Sequence, residues 1–131
     1  SKLIVTGLSQ GGLAALINSM QSNPWASIIA SGFSKMMEMP LRNNHRQIII
    51  PGLNKRFNPI SIKKKIKESD TNFLFTFGLK EGGDYGLDAK KNITQKFFSN
   101  LKHVVVKSHN GGHIYDSFTI RNFMNQHQDS F

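Results

Sequence analysis

The chain has 131 residues, a length typical of one folded domain, and we expect a single domain over residues 1–131. Its 38% hydrophobic and 19% charged residues favour a folded protein, and no apolar run of about 18 residues predicts a membrane span. The chain contains no cysteine, which excludes disulfides and thiolate metal sites. Since no signal-peptide pattern precedes the first predicted strand, we expect a cytoplasmic protein.

The net charge of +9 makes nucleic acid a partner to consider. The dense basic run is Lys63-Lys64-Lys65-Ile66-Lys67, and the other basic residues are scattered. The sequence has no zinc-finger spacing, no aromatic ribonucleoprotein motif and no helix-turn-helix pattern. We interpret the charge as a solvated basic surface and expect no nucleic-acid partner. A steep salt dependence of binding would instead support the lysine-rich helix as a nucleic-acid site.

The first part of the chain alternates strand and helix patterns. Lys2–Thr6 is a short apolar, β-branched run that predicts a buried strand. An amphipathic helix is predicted over Gln10–Met20, ending at Asn23-Pro24. Ser27–Phe33 predicts a second buried strand. The irregular stretch Ser34–Pro59 follows, and its methionines fit either core filling or the lining of an apolar pocket.

The second part continues the alternation. Its predicted elements are a basic helix from Pro59 to Lys67, a strand over Asn72–Phe77, a helix over Ala89–Asn100, a strand over Lys102–Lys107 and a helix over Ile114–Gln126. This order predicts an α/β fold with a parallel sheet and helices on both faces. Sites in such sheets collect beyond the carboxyl ends of the strands. Ser9, the acidic loop after Gly78 and the loop before His113 all follow such ends.

Ser9 lies between glycines where the first strand meets the first helix. A serine hydroxyl becomes a strong nucleophile when a base, commonly a histidine oriented by a carboxylate, removes its proton. A sharp strand-to-helix turn presents the serine to a substrate and leaves backbone amides at the helix N-terminus. The tight crossing requires small residues at Gly7 and Gly11, and Gly12 adds room. The alternative is that these glycines simply make a turn.

The segment Gly7-Leu8-Ser9-Gln10-Gly11-Gly12 resembles the nucleophile elbow of the α/β-hydrolase superfamily, particularly its carboxylesterase, lipase and thioesterase branches. The later strand Phe73–Gly78, the acidic loop, the strand Val104-Val105-Val106 and Gly111-Gly112-His113 resemble that family's C-terminal half. The order serine, acid, histidine also matches. The resemblance covers nearly the whole chain except Ser34–Pro59 and implies a truncated α/β-hydrolase fold.

The resemblance implies a serine hydrolase of carboxylic esters or thioesters. Ser9 would be the nucleophile, His113 the general base, and the Gln10 amide one oxyanion donor. The family's acid position matches Glu81, and Asp84 is the alternative if the loop is altered. The alternative interpretation is that Glu81, Asp84 and His113 are solvent-exposed loop residues without a catalytic role. A non-catalytic remnant of the fold that serves as an interaction module is the competing function.

The family carries further strands and a second oxyanion amide before its elbow, so the resemblance implies a domain that is incomplete on its N-terminal side. We expect the apolar first strand to be a sheet edge that pairs with another copy or with a missing N-terminal segment. His103, His109 and His113 lack the convergent arrangement of zinc ligands. We expect no metal and no cofactor, and a small ester or thioester as the substrate.

Overall fold

The computed structural model describes residues 2–32, 57–81 and 94–127. These residues form four strands, three helices and a helical turn at 94–97. In chain order the strands and helices are β1 (Ile4–Leu8), α1 (Gln10–Ser22), β2 (Ala26–Ala30), α2 (Pro59–Glu68), β3 (Asn72–Gly78), β4 (Val104–His109) and α3 (Ser117–Gln126).

The four strands form one parallel sheet in the order β1-β2-β3-β4, so strands adjacent in sequence are also adjacent in space. Two parallel strands that follow each other in sequence must be joined by a crossover connection. Helix α1 provides the crossover between β1 and β2, and α2 lies in the connection between β2 and β3. All strands therefore end on the same side of the sheet. The strand ends Leu8, Ala30, Gly78 and His109 define what we call the carboxyl edge.

Helices cover both faces of the sheet. One face forms the larger core, whose fully buried members include Leu16 of α1, Ile62 and Ile66 of α2, and Phe73, Phe75 and Phe77 of β3. Because side chains alternate along a strand, Leu74 lies on the opposite face, where it packs with Phe123 of α3. The predicted α/β class, with a parallel sheet between helices, is confirmed.

Two strand ends differ from the predicted ones. β1 continues past Thr6 because Gly7 and Leu8 keep pairing with β2. β2 stops at Ala30, whereas the sequence predicts a strand to Phe33. Ser31 adopts a left-handed φ of 53°, which turns the chain out of the strand conformation.

The last strand and helix also begin later than predicted. β4 begins at Val104 and continues to His109, which pairs with Gly78. The last helix begins at Ser117, since Asp116 caps it by accepting from the Thr119 backbone N–H at 2.9 Å. Residues 98–100 form a turn, so the helix predicted to reach Asn100 ends earlier.

Several sequence predictions fall outside the described residues. They are the methionine-containing stretch after Phe33, the acidic loop from residue 82 that includes Asp84, and residues 89–93 of the helix predicted over Ala89–Asn100. Within the described ranges, no helix is long and apolar enough to cross a membrane. The same ranges hold no group of three or more His, Cys, Asp or Glu residues arranged to bind a metal ion.

Candidate active site

Ser9 occupies a strained turn between β1 and α1. Its backbone angles, φ 57° and ψ −118°, lie in a region that non-glycine residues rarely adopt. Surrounding hydrogen bonds hold it there: its N–H donates to Ala30 O at 2.7 Å, and its carbonyl accepts from Gly12 N at 3.0 Å. A serine at this position commonly caps the helix with its hydroxyl, but Ser9 makes no side-chain cap.

The glycines beside Ser9 differ in what they contribute. A Cβ on Gly7 would overlap the carbonyl oxygen of Gly11, so the crossing of strand and helix requires glycine at position 7. A Cβ on Gly12 would lie 3.1 Å from Gly7 O and from Gly32 Cα, which is also tight. A Cβ on Gly11 would meet nothing within 4 Å. The prediction that Gly11 must be small for lack of space is wrong, because the tight contact uses its backbone oxygen.

Gln10 is the first residue of α1, directly after Ser9. Backbone N–H groups in the first turn of a helix have no acceptor within the helix, and the helix dipole makes that end favourable for negative charge. The Gln10 backbone therefore lies at the helix N-terminus, and its role as an oxyanion donor stays a prediction.

Glu81 and His113 form a hydrogen-bonded pair. Glu81 Oε1 lies 2.6 Å from His113 Nδ1. The Glu81 side chain is only 2% exposed, whereas that of His113 is 47% exposed. Because an ionised carboxylate only accepts, Nδ1 carries the proton and Nε2 is left able to accept one. This is the orientation that a general-base histidine needs.

A backbone hydrogen bond and a tight turn hold the Glu81 carboxylate in place. Its second oxygen, Oε2, accepts from the Gly78 N–H at 2.8 Å. The Glu81 N–H donates in return to Gly78 O at 3.1 Å. The carboxylate therefore has one oxygen bonded to the sheet and the other to the imidazole. Asp84, the alternative acid, lies outside the described residues.

The loop after β4 folds back over the end of β3. Leu79 N donates to His109 O at 2.7 Å, and Lys80 N donates to Gly111 O at 2.9 Å. A Cβ on Gly78 would overlap the carbonyl oxygens of Gly111 and Gly112. Gly78 is thus a site residue that the sequence analysis missed, although its position directly after a predicted strand was a usable signal.

This fold-back shortens the distance from His113 to Ser9. Neighbouring strands lie about 4.8 Å apart, so the ends of β1 and β4 are about 14 Å apart and those of β1 and β3 about 10 Å apart. The loop carries His113 from the end of β4 to Glu81 beyond β3. Among the described residues, no hydrogen bond joins Ser9 to His113. The structure therefore assembles the Glu81–His113 pair and places Ser9 on the same carboxyl edge.

No protein-family model matches the chain, and no curated protein matches it. One solved structure, the Glycosylation Associate Protein (Gap123) complex from Streptococcus agalactiae, aligns at 21% identity with a TM-score of 0.47. The alignment covers 98% of this chain and 28% of that one, so the chain spans less than a third of that protein's length.

Proposed function

We propose that this chain carries a serine hydrolase site of the α/β-hydrolase type that acts on carboxylic esters or thioesters. The observation that carries the proposal is Ser9, held at φ 57° between a strand and a helix with its hydroxyl unused as a cap. Strain of this kind persists where a site needs it. The Glu81–His113 pair on the same carboxyl edge supports it, because a nucleophilic serine needs an oriented base.

In the proposed first step, Ser9 Oγ attacks the carbonyl carbon of the substrate. Its proton passes to His113 Nε2, while Glu81 stabilises the imidazolium through Nδ1–H. The carbonyl oxygen becomes an oxyanion that the Gln10 N–H stabilises at the helix N-terminus. Collapse of the intermediate breaks the bond to the alcohol or thiol, which leaves with the proton from His113. The product is an acyl-Ser9 ester.

The second step reverses these roles. His113 Nε2 takes a proton from water, and the resulting hydroxide attacks the acyl carbonyl carbon. The bond to Ser9 Oγ breaks, His113 returns the proton to that oxygen, and the acid is released. Each oxyanion donor contributes on the order of 10²–10³ in rate. Among the described residues this proposal uses one donor, the Gln10 amide, so we expect slow turnover from these residues alone.

A fluorophosphonate probe tests this proposal directly, because it labels serines that a neighbouring base activates. We expect a single adduct by intact mass, lost in Ser9→Ala. Ser22→Ala is the matched control, since its hydroxyl lies at the far end of α1 and bonds locally to Asn18 O. Equal labelling of Ser9→Ala and the unchanged protein would contradict the proposal, as would complete absence of labelling.

The exposed first strand favours a second candidate, an interaction module. Leu3 and Ile4 are 56% and 40% exposed, and within the described residues β1 pairs on one side alone, with β2. An apolar edge strand offers unpaired backbone groups to another strand. We propose that this edge pairs with a second copy of the chain or with a further segment of the protein. If interaction is its whole function, Ser9→Ala leaves association unchanged and no serine is labelled.

A further inference from the structure

His109 is a buried histidine that the proposed reaction does not use. It is the last residue of β4 and is 6% exposed. Its Nδ1 accepts from the Gly111 N–H at 3.1 Å, so the neutral ring carries its proton on Nε2. Nε2 has no hydrogen-bond partner among the described residues. A buried polar atom without a partner is uncommon and calls for an explanation.

The hydrogen bond from Gly111 connects His109 to both members of the Glu81–His113 pair. Gly111 lies two residues before His113, on the loop that folds back over Gly78. The carbonyl of Gly111 accepts from Lys80 N, and Lys80 directly precedes Glu81. His109 itself accepts from Leu79 N through its own carbonyl. The His109 ring therefore holds the loop that carries His113, and the His109 carbonyl holds the turn that carries Glu81.

The ring also packs against the loop. A Cβ on Gly111 would lie 3.1 Å from His109 Nδ1 and 3.4 Å from Cε1, so the backbone of Gly111 lies directly against the imidazole. Glycine allows this approach because it has no side chain. The imidazole thus contacts the Gly111 backbone and also accepts its N–H, so it restrains both the position and the orientation of this residue.

We propose that His109 is a positioning residue that holds the Gly111–His113 loop in the geometry that the His113 base needs. The essential property is a buried acceptor at Nδ1. The inference rests on the proposed function, because it assigns His109 a part in placing His113 for that reaction. The placement of His113 beside Glu81 can also be measured without any reaction at Ser9.

The acceptor is tested with two substitutions. In His109→Asn the side-chain amide oxygen takes the place of Nδ1, whereas His109→Leu removes the acceptor and keeps an apolar filling. Misplacement of a catalytic group by about 1 Å costs on the order of 10²-fold in rate. We expect fluorophosphonate labelling to fall about 10- to 100-fold in His109→Leu and to stay within about threefold of the unchanged protein in His109→Asn.

His103→Leu is the matched control. His103 precedes the other end of β4, where its Nε2 lies 2.6 Å from Ile66 O and far from the loop. This variant loses a histidine hydrogen bond and some stability, so it reports what a purely structural role would change. We expect its labelling rate per folded molecule to equal that of the unchanged protein.

A second readout separates this inference from the proposed function. The His113 Nδ1–H proton, held by Glu81, should give a downfield resonance in proton NMR that His109→Asn and His103→Leu keep and His109→Leu loses. If the unchanged protein is not labelled, the proposed function fails, and this resonance alone decides the role of His109. The inference is overturned if His109→Leu keeps this resonance. It is also overturned if His109→Leu and His109→Asn lose the resonance, or labelling, to the same extent.

Should both His109 variants fail to fold, the unchanged protein still gives a result. Hydrogen exchange of the Gly111 amide must be slow, because that N–H is bonded to a buried imidazole. Slow exchange supports the acceptor role. Exchange as fast as that of a solvent-exposed amide shows that the hydrogen bond is absent and overturns the inference.

Discussion

Gly78 lies directly beneath the carbonyl oxygen of Gly112, too close for any side chain to fit between them. This contact is the point where the loop carrying His113 crosses the strand that leads to Glu81. The Glu81–His113 pair therefore depends on the absence of a side chain at position 78. Adding a methyl group at that position tests the path of the loop directly.

We expect Gly78→Ala to destabilise the protein by about 1–3 kcal/mol, because its methyl group must push the loop away. The same displacement separates His113 from Glu81, so serine labelling should fall more than stability does. Gly112→Ala is the matched control, since a Cβ there meets nothing within 4 Å. Denaturant midpoints of the two variants provide the measurement. Equal midpoints would show that the loop does not cross β3 as described.

A second glycine pair tests the elbow. A methyl group at position 7 would overlap Gly11 O, whereas one at position 11 has open space. We expect Gly7→Ala to lose stability and labelling. Gly11→Ala should be tolerated and can gain about 0.5–1 kcal/mol, because alanine is the better helix former. Thermal unfolding of both variants decides this, and a damaging Gly11→Ala would contradict the geometry.

The choice between the two candidate acids is tested by neutral amides. Glu81→Gln keeps the size of the side chain but can present an N–H to His113 Nδ1, which favours the wrong imidazole tautomer. We expect labelling to fall on the order of 10³- to 10⁴-fold. Asp84→Asn should leave the rate unchanged. The reverse result would make Asp84 the triad acid and Glu81 a structural residue.

Asp116 gives a prediction about pH. Hydrogen bonds from the Thr119 hydroxyl and backbone N–H lower the pKa of Asp116 below its usual 3.8. A carboxylate with a lowered folded pKa adds stability above its unfolded pKa and loses it as the pH falls through the folded value. Asp116→Ala should cost about 1 kcal/mol at neutral pH through loss of the α3 cap.

The stability difference between the unchanged protein and Asp116→Ala should therefore be constant near neutral pH and shrink as the pH falls below about 4. Asp116→Asn retains a capping oxygen without the charge and serves as the control. Unfolding midpoints measured from pH 2 to 7 supply the comparison. A difference that grows on acidification would contradict the assigned hydrogen bonds.

Pairing through β1 is tested at Ile4, which is 40% exposed on the open edge strand. Ile4→Lys places a charge where another strand would have to pack, a device that natural sheets use to block edge pairing. We expect light scattering after size exclusion to show association in the unchanged protein and a monomer in this variant. A clean monomer at all concentrations without the substitution would remove self-association.

The described residues show where sequence patterns suffice and where they do not. Short apolar runs were enough to predict the strands, and helical spacing of apolar residues was enough to predict the helices, because both patterns are local properties of the sequence. The ends were less predictable. β2 stops at the left-handed Ser31 and α3 starts after Asp116, and both depend on single backbone conformations or caps. Asp116, a residue type that commonly caps helices, was a usable start signal that the sequence analysis did not apply.

The sequence by itself determined the α/β class and pointed to Ser9, because a glycine-flanked serine between a strand and a helix is a local arrangement. Only the tertiary structure showed that Glu81 contacts His113, that Gly78 must lack a side chain, and that His109 supports the loop. The Glu81–His113 and Gly78–Gly112 contacts join residues far apart in sequence, and the His109–Gly111 hydrogen bond depends on how the loop turns back after β4. These contacts depend on how neighbouring strands pair and how one loop folds over another, which no local sequence pattern records.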